Sequence, residues 1–155
     1  MKKKFFTFVI FFIFLSSCGF KVINLSELND YYISEVITGG EEKINFVIKN
    51  RLLNSFSDKN KKNIIIKLSS NKIKSIKEKN INNQITKFEI KISAQVTVFE
   101  AEQKRLNFTI YKNGDYLVEN RHTNTLRNEK NLEKLLTKNL TNEVLNQLTI
   151  KLHDL

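Results

Sequence analysis

Apolar and polar residues alternate strictly over residues 88–98. Every even-numbered position there is apolar, and every odd-numbered position carries a charged, hydroxyl or amide side chain. A period of two is typical of a β-strand with one buried face, and an antiparallel sheet can leave its other face to water or to a partner. The pattern predicts an antiparallel strand whose inward residues are Phe88, Ile90, Ile92, Ala94, Val96 and Val98.

The first third of the chain has the pattern of a strand, a glycine turn and a helix. Residues 31–38 are rich in aromatic and β-branched side chains, which favour strands. Gly39 and Gly40 are the only adjacent glycines and predict a turn. Apolar residues then recur at helical spacing over 41–57. This order predicts a crossover connection to a parallel strand.

Two further segments have strand-like patterns with an interruption. The segment 63–78 begins with alternating apolar residues, and the phase then slips, which predicts a bulge or a strand end near 69–71. The segment 105–120 alternates in its first half, and the pair Asn113 and Gly114 predicts a turn or kink before the pattern restarts.

From Thr125 onward the period becomes helical. Apolar residues recur every four positions, which is typical of a helix with one stripe facing a core. The stripe consists of Leu132, Leu136, Leu140, Val144, Leu148 and Leu152.

The predicted order of elements is β-α-β-β-β-α. It indicates an α+β fold, a two-layer sandwich in which a four-stranded sheet carries two helices on one face. We expect this to be a single domain over residues 31–155, because that length suits one core.

The N-terminus has the pattern of an export signal. Three lysines precede an eleven-residue run, 5–15, that only Thr7 interrupts, and small residues follow. As a helix the run would rise about 16 Å, against about 30 Å for the hydrocarbon core of a bilayer, so a transmembrane anchor is not expected. We therefore predict a signal peptide over residues 1–17 and a tether over 18–30.

The end of this signal, Leu15-Ser16-Ser17-Cys18, resembles the bacterial lipobox. The resemblance implies thioether lipidation of Cys18, cleavage before it, and acylation of the new amine. A structural role for this cysteine is the alternative, but it is the only cysteine in the chain and has no partner thiol. Gly19 follows Cys18, and a residue other than Asp at this position resembles the sorting signal of outer-membrane lipoproteins. We therefore expect a lipid-anchored protein on the periplasmic side of the outer membrane.

The chain is basic, with a formal net charge of +10 that falls to +7 once the three signal lysines are removed. An excess of positive charge favours an anionic partner. Export makes nucleic acid a poor candidate, whereas the phosphates of lipids or lipopolysaccharide are accessible to a periplasm-facing protein. Abundant Lys, Asn and Ile are also typical of AT-rich genomes, which is the alternative source of this charge.

No catalytic constellation is recognisable in the sequence. The two histidines, His122 and His153, have no acid or nucleophile at a readable spacing, and Glu100 and Glu102 are typical of a solvated turn. No cluster has metal-ligand spacing, so we expect no cofactor and no enzymatic activity.

Alternation places several basic residues on the polar side of the predicted sheet. Lysine and arginine there could bind phosphates, and a solvated face is the alternative. The candidate residues for lipopolysaccharide binding are Lys67, Lys72, Lys74, Lys91 and Arg105.

With these features the sequence resembles the family of lipopolysaccharide-assembly lipoproteins called LptE or RlpB, in its alphaproteobacterial form. The resemblance begins at "SSCGF" and is best from "ISAQVTVFE" through "NGDYLVEN" to the C-terminal helix "NLEKLLTKNLTNEVLNQLTIKL". It implies a plug that helps the outer-membrane barrel LptD to fold and that binds lipopolysaccharide on its way to the outer leaflet. The alternative is an accessory lipoprotein of a lipid-transport ABC system.

Overall fold

The computed structural model describes residues 30–58 and 60–154. The elements follow the predicted β-α-β-β-β-α order and form an α+β fold, which confirms the expected class. Cys18, the predicted signal peptide and nearly all of the predicted tether lie outside the described residues. The elements are β1 (Tyr31–Gly40), α1 (Glu42–Ser55), β2 (Lys62–Lys79), β3 (Ile85–Glu100), β4 (Gln103–Leu117) and α2 (His122–His153).

The four strands form one mixed sheet in the order β1-β2-β3-β4. β1 pairs with β2 in parallel, as expected for two strands joined by a helical crossover. The pairs β2–β3 and β3–β4 are antiparallel. Both helices contribute to the single core on one face of the sheet, and the opposite face, which we call the open face, carries no helix.

The core contains the apolar positions that the periodicity indicated. In β3 the even-numbered residues from Ile90 to Val98 are buried, and in α2 the stripe from Leu136 to Leu152 is buried. The α1 residues Ile44, Ile48 and Leu52 complete the layer between helices and sheet. The predicted facing of strand 88–98 and the leucine stripe across one core is confirmed.

The prediction of a bulge or a strand end near 69–71 is wrong, because β2 runs through these residues. The pairing of β2 with β3 is continuous from Ile65 to Ile76, and its irregularities lie beyond Ile76. The phase slip in the sequence arises because Ile73 lies on the open face, where 54% of its surface is exposed. An exposed isoleucine in an unbroken strand therefore produced the pattern.

The turn or kink predicted at Asn113 and Gly114 is also wrong, because β4 runs through both residues in continuous pairing with β3. Gly114 faces α2 instead. A Cβ atom there would lie 2.9 Å from Cδ1 of Leu132 and 3.5 Å from Cδ2 of Leu136. The glycine thus permits close packing of the helix on the strand.

Three chain reversals in the described residues have positive φ, and one of them is the turn between β2 and β3, where Asn83 has φ of 63°. Gly40, with φ of 84°, ends β1, and a Cβ atom there would clash with the carbonyl oxygen of Ser70. The hairpin between β3 and β4 turns at Ala101 and Glu102, with φ of 47° and 67°. Two successive positive φ values fit the twist of a hairpin, although glycine and asparagine adopt them at lower cost.

Candidate functional site

The open face is formed by the odd-numbered residues of β2, β3 and β4, because neighbouring side chains on a strand point to opposite sides. Cross-strand pairing sets them in rows. One row contains Lys67, Thr97 and Asn107, and the third row after it contains Ile73, Lys91 and Asn113.

Lys67 and Lys91 lie on this face and Arg105 lies near its end, but the three do not converge. Lys67 is opposite Thr97, six residues along β3 from Lys91, so their backbones are about 20 Å apart. Arg105 is the extra residue of β4 at the register shift between Lys104 and Leu106, and it lies near the row of Lys67. A single phosphate could not contact Lys67 and Lys91 together.

Each of these three cations already has a neighbour. Lys91 Nζ lies 3.0 Å from Glu89 Oε2, and Arg105 Nε lies 3.0 Å from Glu100 Oε2. Lys67 Nζ lies 4.9 Å from the centre of the Phe99 ring, within cation–π range. Because these ion pairs are at the surface, solvent screens them and an anionic ligand could replace the carboxylate.

The expectation that Lys72 and Lys74 belong to the same basic face is wrong. Lys72 pairs with the inward residue Ile92, and Lys74 pairs with the inward residue Ile90. Both lysines therefore lie on the helix-covered side of the sheet. Lys72 Nζ is 2.7 Å from Glu133 Oε1, and the corresponding contact of Lys74 is with Glu129 of α2.

Lys74 belongs to a polar cluster that fixes the first part of α2 to the sheet. Its Nζ lies 2.6 Å from Glu129 Oε2, and the Tyr116 hydroxyl donates a hydrogen bond of 2.8 Å to the same oxygen. Lys74 Nζ also lies 4.5 Å from the centre of the Phe88 ring, which stacks on Tyr116 at 5.6 Å. The role of Glu129 is not visible in the sequence, because only the folded chain brings it to Lys74.

The cluster shifts the titration of its members. Burial alone would raise the pKa of Glu129. The hydrogen bonds from Lys74 and Tyr116, together with the lysine charges, lower it by more than burial raises it, so this pKa lies below its ordinary value. Burial raises the pKa of Tyr116. For Lys72 the hydrogen bond to Glu133 outweighs burial and raises the pKa. The pair of Lys74 and Glu129 is therefore charged near neutral pH, because the pKa of the lysine is raised and that of the carboxyl group is lowered.

Between the basic ends of the open face lies a group of eight uncharged polar residues, which we call the uncharged block. It fills most of three successive rows across β2, β3 and β4. The sequence shows that these positions are polar but does not show that they are neighbours, because that depends on the pairing of β2 with β3 and of β3 with β4. The members are Ser69, Asn71, Ser93, Gln95, Thr97, Asn107, Thr109 and Tyr111.

The sites considered for catalysis are at the ends of elements. His122 is the first residue of α2, and His153 is its last. Within residues 30–58 and 60–154, no group of three or more His, Cys, Asp or Glu side chains is placed to hold a metal ion. No helix in this described part of the chain is long and apolar enough to span a membrane.

No known protein-family model matches the sequence, and no curated protein matches it. Solved structures do match. Rare lipoprotein B from Shewanella oneidensis superimposes with a TM-score of 0.62 at 15% identity, over 77% of this chain and 97% of that chain. A putative lipoprotein from Caulobacter crescentus CB15 gives 0.57 at 11% identity, over 84% and 95%. A minor lipoprotein from Acinetobacter baumannii gives 0.56 at 12% identity, over 75% and 90%. The resemblance to the LptE or RlpB family is thus matched at the level of the fold: this chain has the fold of rare lipoprotein B over nearly the whole length of that protein.

Proposed function

We propose that this protein is an outer-membrane lipoprotein of the LptE family that plugs the LptD barrel, assists its assembly and helps to deliver lipopolysaccharide to the outer leaflet. The observation that carries the proposal is the shared fold with rare lipoprotein B, which covers 97% of that chain. The lipobox-like Leu15-Ser16-Ser17-Cys18 independently supports a lipid anchor.

The surface of the domain suits such a plug. The lumen of an outer-membrane barrel is polar, so a plug needs a polar surface and a rigid body. Here the helix-free side of the sheet is dominated by polar residues, and β2 alone has 18 residues, about 60 Å of extended chain. The buried apolar side chains of the described residues form one core between sheet and helices, while others such as Phe46, Ile73 and Leu135 are exposed.

Lysine and arginine on the open face are our candidates for contact with lipopolysaccharide phosphates. Because Lys67 and Arg105 lie far from Lys91, we propose that they meet different phosphates of one molecule. Replacing all three by Glu should weaken binding of lipopolysaccharide strongly, while circular dichroism should show an intact fold because the core is unchanged. Equal binding of the triple variant and the wild type at low salt would remove these residues from the proposal.

Copurification from mild detergent extracts tests the proposed partner. The tagged full-length protein should retain a large outer-membrane barrel, identified by mass spectrometry, and depletion of the protein should lower the amount of folded barrel. Cys18→Ala is the anchor control: it should release the domain from the membrane or leave the signal uncut. Recovery of a transport ATPase in place of a barrel, with a normal outer membrane after depletion, would favour the accessory lipoprotein of an ABC system.

A further inference from the structure

The uncharged block has the size of a small ligand site. Its three strands are about 4.8 Å apart, and successive open-face residues on one strand are about 7 Å apart. Three strands and three rows therefore cover about 10 by 14 Å, which matches two to three linked sugar rings rather than a single ion. The rows are set by pairings such as Ser69 with Gln95 and Gln95 with Thr109.

Most of the hydrogen-bonding capacity in the block is unused. Asn107 Oδ1 accepts a bond of 3.2 Å from the Thr97 hydroxyl and a long contact of 3.5 Å from Gln95 Nε2. Within residues 30–58 and 60–154, the side chains of Asn71, Thr109 and the three remaining members accept or donate no hydrogen bond. Amide and hydroxyl groups that can both donate and accept hydrogen bonds are thus available together on the open face of the sheet.

Tyr111 provides an exposed aromatic side chain at the β4 side of the block. It lies in the same row as Asn71 and Ser93, and 73% of its surface is exposed. Its ring offers an apolar body and its hydroxyl a polar tip, a combination suited to a ligand with both kinds of surface. On the opposite side the row of Ser69 continues to Gly39 of β1, which has no side chain and leaves open space beside the block.

The chemistry of the block excludes several ligand classes. A polyanion requires converging cations, and none lies within the block. A second sheet or a lipid surface requires an apolar face, which these eight side chains do not provide. A neutral sugar, in contrast, presents hydroxyl groups that donate and accept, and it has a C–H face that can lie on an aromatic ring.

We propose that the uncharged block binds a neutral oligosaccharide, with Gln95 and Asn107 as hydrogen-bonding residues and Tyr111 as the stacking residue. The inference rests on the proposed function only for the source of the sugar, which would be the saccharide part of lipopolysaccharide. Lys67 occupies the remaining position of the first row and Lys91 lies in the row beyond the third, so a saccharide with phosphates near both ends of its neutral part would fit the whole face.

The experiment uses the full-length protein in detergent micelles and two soluble probes. The first is a neutral oligosaccharide of two to three sugar rings without phosphate, carboxylate or amino groups, and the second is inorganic pyrophosphate. Ligand-observed NMR or calorimetry should detect the oligosaccharide, with binding unchanged between about 0.05 and 0.3 M salt because the ligand has no charge to screen. Tyr111→Ala and Gln95→Ala should each weaken this binding about three- to tenfold.

Ser75→Ala is the matched control, because Ser75 is exposed on the same face, opposite Glu89 and outside the block. It should leave oligosaccharide binding unchanged. The proposal is overturned if the oligosaccharide does not bind at about 10 mM, if Ser75→Ala weakens binding as much as Tyr111→Ala, or if only pyrophosphate binds. If the protein copurifies with a barrel but does not bind the oligosaccharide, this inference alone is overturned. If it binds the oligosaccharide but copurifies with no barrel, the proposed function alone is overturned.

Discussion

Gly114 offers a sharp test of how α2 packs on the sheet. Its φ is not positive, so the backbone itself admits other residues, and the constraint comes from the 2.9 Å approach of Leu132 Cδ1 to a Cβ atom at this position. Gly114→Ala adds one carbon against the mobile end of a half-buried leucine. The reduced entropy of the unfolded chain stabilises by about 0.4–1 kcal/mol, which should offset much of the crowding and leave the free energy of unfolding within about 1 kcal/mol of the wild type.

Gly114→Val adds two further carbons in the space that Leu132 and Leu136 occupy. Overpacking of this kind costs about 1–3 kcal/mol. Leu132→Ala alone should also destabilise, by less than the about 2–5 kcal/mol typical of a fully buried leucine, because Leu132 is only half-buried. The double variant should lose less stability than the two single losses combined, by about 1 kcal/mol or more, since the smaller residue makes room for the valine.

Chemical denaturation followed by circular dichroism measures all four proteins of this cycle. Pairing of Gly114→Val with Ser75→Ala, an exposed change two strands away on the opposite face of the sheet, is the control and should be additive. Strict additivity of Gly114→Val and Leu132→Ala would contradict the packing argument. A loss well above 1 kcal/mol for Gly114→Ala would instead indicate that the Leu132 side chain cannot move away from the added carbon.

Three further predictions concern the core, the polar cluster and the hairpin turn. Leu140→Ala should cost about 2–5 kcal/mol because Leu140 is fully buried, whereas exposed Gln95→Ala should stay within about 0.5 kcal/mol; equal losses in urea unfolding would contradict the assignment of faces. The lowered pKa of Glu129 gives stability that is present above its unfolded pKa of 4.5 and is lost as pH falls through the lower folded pKa. Unfolding of Glu129→Gln should therefore depend less on pH below about 4.5 than unfolding of the wild type, and parallel pH profiles would refute this. Ala101→Asn with Glu102→Gly should raise the free energy of unfolding by about 1–2 kcal/mol, because these residues adopt positive φ more readily; an unchanged melting temperature would argue against strain in this turn.

The sequence by itself determined the class of fold and most of the core. The period-two pattern of β3 and the period-four stripe of α2 are local properties, and burial of one face requires only that another layer exists. For this reason residues such as Val96 and Leu140 could be placed in the core before the sheet order was known. The lipobox-like cysteine is also a local signal.

Only the tertiary structure decided the partners of the polar residues. Alternation assigns Lys74 to a face, but its ion pair depends on Glu129, 55 residues away, and the role of Gly114 depends on Leu132 of the same distant helix. The predicted single basic face failed because an exposed Ile73 imitated a bulge and so moved Lys72 and Lys74 to the wrong side of the sheet. Periodicity records which residues avoid water, a property of each residue and its neighbours in the chain. Polar contacts and close backbone approaches depend instead on which distant segments the sheet order and the helix packing bring together.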